Sequence, residues 1–267
     1  EDIKCSGNWM WAAKLPGEGA RLYDAAVAMS DLMVKLGIAV DGGKDSLSMA
    51  AMVPGASGKT EVVKAPGALV ISAYATCPDI TKVITPDIKK PGESRLIYID
   101  LGNGKYRIGG TALAHVYRQV GNESPDLDDP QLLKRTFNAI QRFISEDLII
   151  SGHDRSDGGL ITTLLEMAFG GNCGMKINIE VSPPTHPSPS RGEGKGGGEE
   201  FELSLLFSEE LGLVIEYLPE NEDKIIADFK DNEIPHQIIG NTMIEKKIDI
   251  SVNGHAVLKE DMRVLRA

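Results

Sequence analysis

Apolar positions along this chain change their spacing from segment to segment, and the spacing predicts the elements. Leu22, Ala25, Met29, Leu32, Met33 and Leu36 recur three or four apart. That period lays them on one stripe of an amphipathic helix over 21–36. Gly37 suits the position just past its end. Ile38, Ala39 and Val40 predict a short buried strand that runs into Asp41-Gly42-Gly43-Lys44-Asp45-Ser46. Residues 53–58 read as a turn, and the continuous apolar run 68–75 as a central strand. The stretch 5–19 is polar and glycine-rich, so it reads as loop.

Two prolines among polar filler make 85–92 an inter-domain linker by sequence. Beyond it, strands are predicted at 95–101, 148–151, 175–181, 211–217, 236–239 and 247–252. Helices are predicted at 111–120, 131–146, 161–169 and 221–230. Asn253-Gly254 supplies a hairpin-type turn. Strands alternating with helices predict an α/β layered domain. The Pro- and Gly-rich stretch 182–200 has almost nothing apolar and reads as a mobile surface insertion.

Composition narrows the classes. With 267 residues, 42% hydrophobic and 25% charged, the chain is neither collagen-like, coiled-coil nor wholly disordered. A net charge of −11 makes nucleic acid and anionic membrane poor partners. A small anion held by local backbone N–H groups stays open. No apolar stretch approaches the roughly 20 residues of a membrane span. Cys5, Cys77 and Cys173 are odd in number and widely spaced. They predict reduced thiols in a cytoplasmic protein rather than a disulfide framework or a zinc cluster. The N-terminus has no Met and no signal-peptide pattern, and it looks cut from something longer.

Three stretches could carry chemistry. In Ser151-Gly152-His153-Asp154-Arg155-Ser156-Asp157-Gly158-Gly159-Leu160 a strand end meets a helix start. Glycine N–H groups and the helix dipole there attract phosphate, and a neighbouring carboxylate can hold Mg2+. The alternative is structural: Ser156 or Asp157 caps the helix and the glycines make a tight turn. His153 reads as a packed, hydrogen-bonded histidine, with general base or metal ligand as the alternative. Arg155 reads equally as phosphate clamp or solvated turn residue. In the second stretch, residues 41–48 gather paired glycines, a cation, a carboxylate and two hydroxyls. They suit a phosphate or carboxylate ligand, or form a polar turn. Gly109-Gly110-Thr111 reads as a helix cap. In the third, Asp2 with Gly7-Asn8-Trp9 can line a nucleotide pocket or simply anchor a loop.

These segments, in order, resemble one family. They are Ser6 to Met10, Gly42 to Met49, Ala65-Pro66-Gly67 with Leu69 to Ala73, Gly110 to Ala114, His153 to Gly159, and Glu166 to Phe169. Together they are similar to the second synthetase half of the large single-chain phosphoribosylformylglycinamidine synthases. The likeness runs over nearly the whole chain, with the 182–200 insertion as the main departure. It implies the fold of aminoimidazole ribonucleotide synthetase. Residues 1–90 would be the last part of a barrel-forming N-terminal-type domain, and 93–267 a C-terminal-type α/β domain.

The resemblance also implies a reaction. Formylglycinamide ribonucleotide, ATP and glutamine-derived ammonia give formylglycinamidine ribonucleotide, ADP and phosphate. It implies an auxiliary nucleotide site with Asp154 as Mg2+ ligand and Ser156 as ATP contact. Gly43 would contact ATP, and Ser46 and Lys44 the substrate. Lys44 stands where smaller members have a metal-binding Asn; an ammonium cannot ligate Mg2+ but can meet phosphate directly. Asp2 aligns with an ATP-contacting Asp. The partners implied are the remaining synthetase half and a glutaminase domain, so the chain is expected not to complete the reaction alone. Two rivals stay open: a selenophosphate- or thiamine-phosphate-type member of the same superfamily, and a catalytically silent nucleotide-binding scaffold.

Overall fold

Long-range pairing makes a strand of the segment that its composition marks as loop. The computed structural model describes residues 3–56, 58–181 and 197–266. It divides into two units, Glu1–Ile80 and Thr81–Ala267. In the first, β1 (Lys4–Met10) is followed by α1 (Glu18–Leu36), β2 (Ala39–Ser46), β3 (Ala50–Pro54), β4 (Thr60–Lys64) and β5 (Ala68–Tyr74). Strand β1 lies between β2, parallel, and β5, antiparallel. Its glycine serves packing: a Cβ on Gly43 of β2 would sit 2.1 Å from the carbonyl oxygen of Gly7. The Asp41-to-Ser46 stretch is therefore strand, not a turn after one. Strand β5, expected to be central, is the sheet's edge among the described residues.

Helix α1 follows the period of its sequence. The Leu22-to-Leu36 stripe is half-buried, and Gly37 ends the helix at φ 77°, its N–H donated to Met33 O. This is the left-handed cap that glycine adopts without strain.

The second unit contains β6 (Arg95–Asp100), α2 (Ala112–Val116), α3 (Pro130–Ser145), β7 (Ile149–Asp154), α4 (Gly159–Gly171) and β8 (Gly174–Ile179). After these come α5 (Gly197–Phe207), β9 (Gly212–Tyr217), α6 (Glu222–Asp231), β10 (His236–Met243), β11 (Lys247–Val252), β12 (His255–Asp261) and α7 (Met262–Leu265). Seven strands form one sheet in the order β12-β11-β8-β10-β6-β9-β7. The layered α/β class holds. Only β11–β8 is a parallel pair, however, and the other neighbours run antiparallel.

Alternation along β6 builds two cores. Leu96 and Tyr98 join a cluster with Leu160, Leu164 and Met167 of α4. Ile97 and Ile99 join Phe143 of α3 and Phe229 of α6 on the opposite face. Side chains of a strand point to opposite faces in turn, so a sheet buried on both sides needs this pattern. Asp129 and Pro130 start α3 as a cap and a first-turn proline, with the Asp129 carboxylate accepting from Gln131 and Leu132 N–H. The helix expected over 111–120 ends early, because Arg118 at φ 56° and Gly121 at φ 73° turn the chain.

The stretch 85–92 is a packed strap rather than a free linker. Ile88 is buried in the α4-side core. Lys89 and Lys90 N–H donate to the buried Glu216 carboxylate at 2.8 and 3.0 Å. Most of the 182–200 insertion lies outside the described residues, and its last four residues open α5.

All three cysteines are free, with Cys77 exposed and Cys5 and Cys173 buried. Burial, then the Glu216 charge, pushes the Cys173 thiol up to about 11. A disulfide-exchange reagent at pH 8 should therefore label one thiol fast in the native chain, and the other two only on unfolding. A fast thiol surviving in Cys77→Ser would contradict this burial.

Candidate functional site

Strand β7 runs three residues past its predicted end, because pairing with β9 continues through His153↔Val214 and Asp154↔Leu213. The chain then turns into α4 with Arg155 inward and Asp154 and Ser156 outward. Neither Ser156 nor Asp157 caps the helix. The cap is Gly158 at φ 84°, without a side-chain bond from its own segment. The cap comes instead from Glu209, whose Oε1 accepts Gly158 N–H at 2.8 Å. The same oxygen accepts Ala112 N–H at the start of α2, also at 2.8 Å. A protein carboxylate thus occupies the helix start that the sequence offers to phosphate. Gly159 serves close packing: a Cβ there would meet Leu206 O at 2.6 Å.

Glu209→Ala should cost about 1–2 kcal/mol, since two helix-start N–H groups lose a charged acceptor. A urea midpoint shift reads it. An unshifted midpoint would mean that water replaces the carboxylate fully.

Arg155 is neither clamp nor solvated. Its side chain is fully buried. The guanidinium donates to Glu210 O, to the Tyr98 hydroxyl, to Leu211 O at 3.0 Å and to Asp100 Oδ1 at 3.2 Å. It also lies 5.4 Å from the Tyr98 ring centre. Arg107 in turn holds the buried Glu210 carboxylate. The residue between the two outward side chains is therefore a structural anchor.

His153 is hydrogen-bonded on both ring nitrogens, Nδ1 to Asp154 Oδ1 at 3.2 Å and Nε2 to Glu166 Oε2 at 2.8 Å. Among the described residues no group of three His, Cys, Asp or Glu side chains could hold a metal. Asp154, 68% exposed, is a single open carboxylate.

In the first unit, Lys44 and Ser46 come together: Nζ donates to Ser46 Oγ at 2.9 Å. Both stand on the β2 face that carries Asn8 and Met10 of β1 in register. Gly43, on the other face, packs against Gly7. Thr111 caps α2, accepting from Ala114 N–H. Asp2 lies outside the described residues. Sequence reasoning missed Glu209, which reaches the site from about fifty residues downstream; no local pattern marks it.

Residues 1–76 match the FGAR-AT PurM_N-like domain model, and 94–253 match the C-terminal domain of AIR synthase related proteins. A phosphoribosylformylglycinamidine synthase of Dictyostelium discoideum is 54% identical over 90% of this chain and 17% of its own length. One of Arabidopsis thaliana, named as chloroplastic/mitochondrial, is 50% identical over 99% of this chain and 17% of its own. This chain thus spans about a fifth of the length of its curated relatives. The structure of T. maritima PurL complexed with ATP has the same fold, with a TM-score of 0.63 and 13% identity. That match covers 98% of this chain and 37% of the other. No helix among the described residues is long and apolar enough to cross a membrane.

Proposed function

We propose the function of this chain from the premise that it belongs to the family of AIR synthase related proteins. The observation that carries the reading is the match of nearly the whole chain to relatives named phosphoribosylformylglycinamidine synthase. The chain is a segment of the synthetase part of an ATP-dependent carbon–nitrogen ligase. The whole protein turns formylglycinamide ribonucleotide into the amidine with ammonia from glutamine. ATP phosphorylates the substrate amide oxygen, ammonia adds at that carbon, and phosphate leaves with the former amide oxygen. The glutaminase and the other synthetase half are the partners, on the rest of the full-length protein.

Within this segment each residue has a limited part. The Lys44 ammonium, beside the Ser46 hydroxyl, faces an anionic substrate group, and Ser46 orients it by hydrogen bonding. Gly43 is an ATP contact. Asp2 is an ATP contact. In the second unit Asp154 and Ser156 form part of an auxiliary nucleotide site. Mg2+ keeps several waters and takes one or two carboxylates plus phosphate oxygens. One open carboxylate, Asp154, fits that mode. When bound, the ion neutralises phosphate charge, and Ser156 donates its hydroxyl to a phosphate oxygen. Free thiols at Cys5, Cys77 and Cys173 fit a reducing compartment, which we take to be the cytoplasm.

Calorimetric titration of the chain with Mg-ATP, beside Asp154→Ala, tests the nucleotide site. Saturable binding that falls about tenfold or more in the variant is expected. Equal binding by the two would remove Asp154 from the site.

A further inference from the structure

We propose that His153 and Glu166 position the Asp154 carboxylate for the metal–nucleotide contact; the proposal rests on the reading of Asp154 given above. Glu166 stands on α4, thirteen residues past His153, with Oε2 2.8 Å from Nε2. The other ring nitrogen lies 3.2 Å from Asp154 Oδ1. Both carboxylates only accept, so the imidazole is tied at both edges in the form that carries an N–H on each nitrogen, and it engages one Asp154 oxygen. Oδ2 of Asp154 makes no protein hydrogen bond among the described residues. The exposures differ in a telling way: His153 is 18% exposed, Asp154 68% and Glu166 56%. The packed ring connects two wet carboxylates.

A solvated aspartate samples several rotamers, and binding an ion must freeze them. Tied through Oδ1, this carboxylate is held in one orientation with Oδ2 presented. Metal-ligating carboxylates are themselves commonly hydrogen-bonded, and removing such a support costs about 10–100-fold in affinity. Exposed ion pairs of this kind contribute little to stability. Glu166 leaves no buried group unpaired when it is removed. Affinity and stability should therefore separate.

The test is a titration of the full chain with ATP, once with Mg2+ and once with EDTA. The variants are Asp154→Ala, His153→Phe, Glu166→Leu and Glu166→Gln. Asp154→Ala should remove the Mg2+-dependent part of binding. His153→Phe and Glu166→Leu should each weaken it about tenfold or more. Glu166→Gln keeps a carbonyl acceptor for Nε2–H and should restore most of the affinity. Melting without nucleotide, and binding in EDTA, should be unchanged in the two Glu166 variants. Should His153→Phe unfold, the exposed Glu166 variants carry the test. Glu166→Leu binding as tightly as the unaltered chain, while Asp154→Ala does not, would overturn the positioning role and leave the Asp154 reading standing. Parallel loss of melting temperature and of Mg2+-free binding would also overturn it. Full binding by Asp154→Ala, or no Mg-ATP uptake by the folded unaltered chain, would overturn the nucleotide reading itself and this inference with it.

Discussion

Replacing Arg155 with alanine should lower the unfolding free energy of the second unit by about 3–5 kcal/mol, the range for breaking a buried charge network. The guanidinium serves four acceptors: the carbonyls of Glu210 and Leu211, the Tyr98 hydroxyl and Asp100 Oδ1. Alanine leaves all four without that donor, and water reaches a fully buried position poorly. Burial pushes the Tyr98 hydroxyl well above the ordinary range. It stays protonated and donates to Asp100 Oδ1 at 3.1 Å. Arg155→Lys should recover only a minor part. An ammonium on a flexible stem lacks the planar fork that spans these acceptors. Urea denaturation measures both variants, and the melting temperature should fall by roughly 10 °C for alanine. A loss below about 1 kcal/mol would place Arg155 among ordinary surface substitutions and refute the anchor.

Gly43→Ala should destabilise the first unit by about 3 kcal/mol, at the upper end of overpacking costs. Gly42→Ala should change it by less than about 0.5 kcal/mol. The two glycines are adjacent in sequence and alike in every local property. In space, a Cβ on Gly43 would meet Gly7 O at 2.1 Å, while one on Gly42 would meet nothing within 4 Å. The obstructing atom is backbone, so β1 and β2 would have to separate and break their parallel ladder. The alanine at 42 also removes freedom from the unfolded chain, which offsets part of any loss. Thermal melting of the two variants side by side, with hydrogen exchange in β1, decides the matter. Equal melting would show that the strands are not in close contact at Gly43.

How far each feature was legible follows from the range of the interactions behind it. Helices α1, α3 and α6 were visible as periods, since a 3.6-residue repeat is a local property. So was the end of α1, with Gly37 at φ 77°. The Asn253-Gly254 turn was also visible, both residues adopting positive φ. The His153 side chain matched the packed, hydrogen-bonded reading. Strand β1 was not legible, because its partners lie more than thirty residues away and its glycine and polar residues look like loop in any window.

What the sequence by itself determined is the set of elements with a strong local period, the layered α/β class of the second unit, and the ordered segments that mark the family. Tertiary structure alone decided that β1 is a strand, that the neighbouring strands run mostly antiparallel, that Arg155 is interior and that Glu209 closes the start of α4. The physical reason is the same in each case. A strand's hydrogen bonds and a buried charge's partners come from residues remote in sequence, so neither an arginine's surroundings nor a glycine's neighbour is encoded beside it. A helix closes its bonds four residues away, which is why its pattern can be read before the chain is folded.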